Sequence, residues 1–280
     1  MMQNKMDSIH HDNKEIESSN DLRRTMTLSL SPEQYERLFF QPTSAKGDLA
    51  KRLGNPTLLG TMGFLIPFTT TVLCCLQWQG AGPASFTGIS GTYYFLGGIA
   101  MCLAGICEFI LGNTYPFAVF VIYGAHWCNL AYTMDPIQGI IASYTVGKVP
   151  GADSITYTAG QGMYNIVMLL ISFCFFLGSL RTNVPFALAI FCLMPLFGLF
   201  AAAEFAIGTA TTAADGAHIL FLIKMAGGFG LVTAIAGWYL AIQLACASTG
   251  VPCPLPAMDL STRLFRKSEA AAIERGGSVV

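Results

Sequence analysis

Apolar side chains run through the middle of this chain in six long blocks, and Gly, Pro, Asn or Asp punctuates every gap between them. A helix rising about 1.5 Å per residue needs about 20 residues to cross about 30 Å of hydrocarbon. The blocks near 57–78, 91–111, 116–133, 160–180, 185–207 and 218–246 have that length. They predict an all-α integral membrane protein built as a six-transmembrane-helix bundle. From Leu53 to Cys107 there is no charged side chain at all. A water-soluble fold hardly tolerates such a stretch, whereas a pair of bilayer-spanning helices requires it.

Charge sharpens the division. Of 31 Asp, Glu, Lys and Arg residues, 23 lie in 1–52 and 259–280, and the 206 residues between carry eight. The organisation expected is a cytosolic N-terminal tail over 1–52, a transmembrane domain over 53–250 and a cytosolic C-terminal tail over 251–280. Lys46, Lys51, Arg52, Arg181, Arg263, Arg266 and Lys267 flank one side of the six spans. The loops on the other side, near 79–90, 134–159 and 208–217, hold one cation, Lys148. By the positive-inside rule both termini are cytosolic. The polar, mixed-charge first 45 residues lack the apolar run of a cleaved signal peptide. Within them, Ser31-Pro32-Glu33-Gln34 reads as an N-cap, a first-turn proline and a capping-box Gln, so a short amphipathic helix is expected near 32–40.

Composition removes several classes of function. A net charge of −1 supplies no basic field for nucleic acid. Eight of the nine cysteines sit in or beside apolar blocks and read as small packing residues, and no His/Cys spacing suits zinc. No metal or other cofactor is expected. Small residues at helical spacing, Gly230/Ala234, Gly237/Ala241/Ala245 and Ala100/Ala104, predict close helix packing.

The three helices that start on the cytosolic side each begin with an Asn near a Pro: Asn55-Pro56, Asn113 before Pro116, and Asn183 before Pro185. Asn caps free backbone N–H groups, and proline in the first turn removes a donor that has no partner anyway. Nine or ten residues further on stand Phe64, Tyr123 and Leu193, about 14–15 Å deep and so near the bilayer midplane. Three bulky side chains at one depth either close a pore as a hydrophobic constriction or simply pack the core.

The segment Gly54-Asn55-Pro56-Thr57-Leu58-Leu59-Gly60-Thr61-Met62-Gly63-Phe64 resembles the Asn-Pro-Ala-Pro-Leu-Gly-Leu signature of the acetate uptake transporters. That family includes bacterial succinate-acetate permeases and fungal acetate or ammonia-export proteins. The similarity continues through Ala104 to Phe109, Gly112-Asn113-Thr114-Tyr115, Tyr123-Gly124-Ala125-His126-Trp127 and Lys224 to Leu231. The stretch from Ser31 to Leu38 resembles the fungal members. The resemblance implies a homohexamer in the plasma membrane with a pore through each subunit, and it puts Phe64, Tyr123 and Leu193 at the pore constriction. Asn55, Pro56, Gly60, Asn113 and Thr114 match the family signature and helix starts. Thr57, Leu58 and Thr61 depart from the signature and bear on substrate preference or on transport itself.

An ionisable group inside a span costs about 2.5–3.5 kcal/mol on insertion scales, so each one asks for a reason. Glu108, near the cytosolic end of the second span, suits proton handling at the pore mouth, pairing with Asn113 and Thr114, or snorkelling. Lys224 and Glu204 are expected to pair with each other; the other role for Lys224 is attracting carboxylate. His126 suits either a titrating site or neutral packing. Glu108, His126 and Glu204 lie at different depths, which argues against an enzyme. The function expected is passage of acetate or a similar short monocarboxylate, succinate included, with a proton as co-substrate. The alternatives are a channel for ammonia or another small neutral solute, and a transport-inactive sensor or scaffold of the same fold.

Overall fold

The computed structural model describes residues 53–256 and 258–260. The amphipathic helix expected near 32–40 and most of the two tails lie outside the described residues. Six long helices make up most of the described residues: α1 (Thr57–Cys75), α2 (Pro83–Ile110), α3 (Thr114–Met134), α4 (Ile155–Ser179), α5 (Val184–Ile207) and α6 (Ala213–Thr249). Five of them are long and apolar enough to cross a membrane. The other, α3, has the length, at 21 residues, but Tyr115, Tyr123, His126, Asn129 and Thr133 lower its mean hydropathy. Among the described residues the only β pairing is two isolated bridges.

The helices are built as membrane helices are. Outward-facing positions are as apolar as inward ones: Phe95, Ile99, Leu103 and Ile106 on α2, and Met163, Val167, Leu170 and Phe173 on α4, are all exposed. Such a surface is stable only where hydrocarbon replaces water. Inside, small residues let backbones approach. A Cβ at Gly237 would lie 2.5 Å from the Leu65 side chain and one at Gly230 would lie 2.6 Å from Val72, so the small-residue row of α6 is where it meets α1. Gly97 and Gly98 give the same room to Trp127 and Cys128 of α3.

Neighbouring helices pack in the order α1, α2, α3 along one half and α4, α5, α6 along the other, with α6 against α1. The α3–α4 seam is closed by long side chains instead: the Tyr115 hydroxyl donates to the Phe175 carbonyl, and Tyr123 and His126 reach Ser172 and Tyr164. The result is a ring of helices around an interior.

Several boundaries depart from the sequence expectation. α2 begins at Pro83 rather than near 91, as a 3-10 turn, and runs through a π-helical stretch, Tyr93–Ala100. α6 extends over 37 residues, about 55 Å at 1.5 Å per residue, and so continues beyond the hydrocarbon. Gly250, at φ 72°, ends α6. The chain then folds back: Gln243 Nε2 donates to the Leu255 and Pro256 carbonyls, and residues 258–260 pair by backbone with Thr182 and Val184 at the start of α5. The first part of the expected C-terminal tail is therefore docked on the bundle.

Candidate functional site

The three Asn helix starts turn out to do different work. Asn183 is fully buried and accepts from the Phe186 N–H at 2.9 Å, a true N-cap for α5. Asn55 accepts from the Thr57 N–H at 2.8 Å, with Pro56 at the N-cap position of α1. Asn113 makes no cap. Its amide Nδ2 donates to Glu108 Oε2 at 2.5 Å, while the Thr57 hydroxyl donates to Glu108 Oε1. Glu108 is wholly buried and ties together the start of α1, the end of α2 and the start of α3. It does not snorkel, and it lines neither cavity described below. Thr114 is exposed at the first turn of α3, and Thr57, a partner the sequence did not suggest, donates to Glu108. Gly60 earns its place by packing: a Cβ there would lie 2.6 Å from the Phe120 ring.

Two cavities lie among the described residues of the interior. A wide one of about 120 Å³ opens among the C-terminal halves of α1, α3 and α5 and the N-terminal halves of α4 and α6. A narrow one of about 50 Å³ lies toward the Asn helix starts, lined by Thr61, Phe120, Phe186 and Leu240 among others. Phe64, Tyr123 and Leu193 line both, and they are the residues the two linings have in common. In this partition between the cavities Tyr123 and Leu193 are 3% and 2% exposed, and Phe64 is partly buried. The Phe64 and Tyr123 rings lie 6.5 Å apart at 47°, and Phe64 stacks on Phe68 at 4.6 Å.

The partition is hydrocarbon in character even though it contains a tyrosine. Ser172 Oγ donates to the Met168 carbonyl at 2.8 Å, which commits its single proton. The 2.9 Å contact between Tyr123 and Ser172 is therefore a bond donated by the Tyr123 hydroxyl, and only its ring is left for the interior. The narrow cavity is similarly poor in donors, because Thr61 donates to the Thr57 carbonyl and Thr233 to the Ala189 carbonyl.

The wide cavity is mixed. Thr71, His126, Asn129, Tyr157, Gln161, Tyr164, Asn165 and Glu204 stand among Phe68, Phe86, Leu196, Phe197 and Phe200. His126 Nδ1 is 2.8 Å from the Tyr164 hydroxyl, the two rings stack at 5.6 Å, and Phe197 stands edge-on at 5.4 Å, so His126 is held as a packed ring on the cavity wall. The expected Lys224–Glu204 pair is not formed. Ile223, Ala226, Gly227 and Gly230 take the inward face of α6, which turns Lys224 outward, where it is exposed and touches neither cavity. Glu204 faces the cavity instead. Reading Lys224 only by its depth missed its angular position on the helix. A signal for the polar wall was present in α4: Tyr157, Gln161, Tyr164, Asn165 and Ser172 fall on one helical face of an otherwise apolar run.

Known proteins share this chain's pattern. The Aspergillus fumigatus relative named Protein alcS is 34% identical over 240 residues, covering 84% of this chain and 86% of its own. The succinate-acetate/proton symporter SatP of Escherichia coli is 31% identical over 196 residues, 68% of this chain and 88% of that one. The acetate transporter protein patA of Aspergillus clavatus is 27% identical over 196 residues, 69% of this chain and 74% of that one. The solved structure of the bacterial acetate channel SatP superposes with a TM-score of 0.55 at 25% identity, covering 73% of this chain and 98% of that one. The model of the GPR1/FUN34/yaaH family matches residues 39–262, and the chain belongs to that family.

Proposed function

We propose that this protein carries acetate, or a short monocarboxylate like it, across the plasma membrane together with a proton. The path runs from the wide cavity through Phe64, Tyr123 and Leu193 to the narrow one. The observation that carries this reading is that two cavities, one polar-walled and one nearly apolar, meet at these three side chains. In this reading α3 is the sixth span, both termini are cytosolic, the wide cavity faces outward, and six copies assemble with a pore in each. The relatives support the substrate class: SatP is called a succinate-acetate/proton symporter and patA an acetate transporter.

The proton follows from desolvation. A bare carboxylate between three hydrocarbon surfaces is costly, by tens of kcal/mol on an idealised Born estimate, whereas the neutral acid gives up only ordinary hydrogen bonds. Uptake therefore rises as the medium is acidified at fixed total acetate. The test is radiolabelled acetate uptake into proteoliposomes at acidic and neutral pH, for wild type, Tyr123→Ala and Tyr123→Phe. Flux above empty liposomes, altered by Tyr123→Ala and retained by Tyr123→Phe, is expected, because the hydroxyl is already committed to Ser172. Flux of ammonia without acetate competition would favour a neutral-solute channel, and no flux of either from correctly inserted protein would favour a sensor or scaffold.

A further inference from the structure

Five ionisable side chains of the spans were candidates for handling the proton, and the structure separates them. Glu108 is bonded to Thr57 and Asn113 and lies outside both cavities. Lys224 faces outward. His126 lies on the wide cavity's wall, but its Nδ1 is engaged by Tyr164 and its ring is packed against Trp127, Tyr164 and Phe197. Tyr123 donates its hydroxyl proton to Ser172. Glu204 remains. Among the described residues it is the one carboxyl group lining the wide cavity, it makes no hydrogen bond or ion pair, and it stands one turn from the end of α5 at Ile207.

We propose that Glu204 is the group that exchanges a proton with the solute in the wide cavity, so that the solute reaches the partition as the neutral acid. This rests on the reading that a carboxylate passes. Eleven residues, about 16 Å of helix, separate Glu204 from Leu193, so the exchange takes place a cavity's length before the partition. The step is R–COO⁻ + Glu204–COOH → R–COOH + Glu204–COO⁻. The neutral acid moves on, and Glu204–COO⁻ then takes H⁺ from water at the mouth, so one proton accompanies each carboxylate. A glutamyl group suits this exchange chemically. It is the same kind of acid as the solute, so the transfer is nearly balanced and reversible, which a phenol would not allow.

The surroundings leave Glu204 to act alone. The titratable groups that line the cavity with Glu204 are Tyr157, its electrostatic neighbour, and Tyr164 from α4, Tyr123 and His126 from α3, and Cys75 from α1. From α2 and α6 the cavity receives Phe86, Ala226 and Gly227, none of them titratable. Among the described residues no Lys or Arg lines this cavity to fix the carboxylate in its charged form.

The test uses the full chain in proteoliposomes as wild type, Glu204→Gln and Glu204→Asp, with folding checked by size-exclusion profile. Glu204→Gln is expected to slow acetate uptake at neutral pH about a hundredfold, the lower end of what a proton-transferring side chain contributes, while losing less at acidic pH, where water supplies the neutral acid. Glu204→Asp should restore the pH profile in part. A second measurement needs no transport: infrared difference spectra on adding carbon-13 acetate at fixed pH should show a protein carboxyl band in wild type that Glu204→Gln lacks. A Glu204→Gln variant with the wild-type pH profile overturns the proposal, and so do identical acetate-induced spectra. If wild type shows no acetate flux, it is the transport reading that fails, and the infrared comparison still decides whether Glu204 exchanges a proton with bound carboxylate.

Discussion

Glu108→Ala removes the acceptor that joins three helix ends. In wild type the carboxylate accepts from Thr57 Oγ1 and from Asn113 Nδ2, in a site with no exposure. Hydrogen bonds to a charged partner contribute about 1.5–3 kcal/mol each in water-soluble proteins, which gives about 3–6 kcal/mol for the pair. Side-chain bonds between membrane helices average lower, about 0.6 kcal/mol, because the dissociated helices find other partners. Here the truncation leaves a hydroxyl and an amide as buried donors without their acceptor, and that penalty places the expected loss near 3 kcal/mol. For a protein of this size the change corresponds to about 6–12 °C in apparent Tm, read by fluorescence-detected size-exclusion chromatography of detergent-solubilised protein after heating. Glu108→Gln keeps one acceptor oxygen and should lose about half as much. Thr57→Val combined with Glu108→Ala should be less damaging than the sum of the two single changes, since one bond is counted in both. An Ala variant that melts within about 2 °C of wild type would refute the reasoning, because the bonds described could then not be holding the helix ends together. Acetate uptake by the folded fraction of Glu108→Gln should keep the wild-type pH dependence, because the residue touches neither cavity.

Gly60→Ala places a Cβ 2.6 Å from the Phe120 ring and should destabilise by about 1–3 kcal/mol, as overpacking does, with Phe120→Leu in the same chain recovering part of the lost Tm. Lys224→Met should leave the apparent affinity and maximal rate of acetate uptake within about twofold of wild type, since the side chain lies on the outer face of α6; a clear fall in affinity would put it in the path.

Periodicity and length made the helices legible. Apolar runs of the right span announce membrane helices whatever surrounds them, because every backbone polar group must be satisfied inside the segment itself. Phe64, Tyr123 and Leu193 could be picked out together because depth along a helix is a linear quantity, fixed by a count from each helix start. The 3-10 start of α2 and its π-helical stretch carry no such mark. The π-helical stretch lies where Gly97 and Gly98 accommodate Trp127 and Cys128, a contact between helices that no local pattern encodes.

The sequence by itself determined that the chain is helical and membrane-embedded, where the helices fall, and which three bulky side chains share a depth. It left open which way each charged group points, because angle around a helix has meaning only once the neighbours are in place. Packing of α6 on α1 through Gly230 and Gly237 turned Lys224 outward, and the buried meeting of α1, α2 and α3 drew Asn113 away from capping to Glu108. Packing of α5 between α4 and α6 left Glu204 facing a cavity instead of a cation. Partner choice for a charge in hydrocarbon is decided by whatever polar atom lies within a few ångströms, and that distance exists only in the assembled bundle.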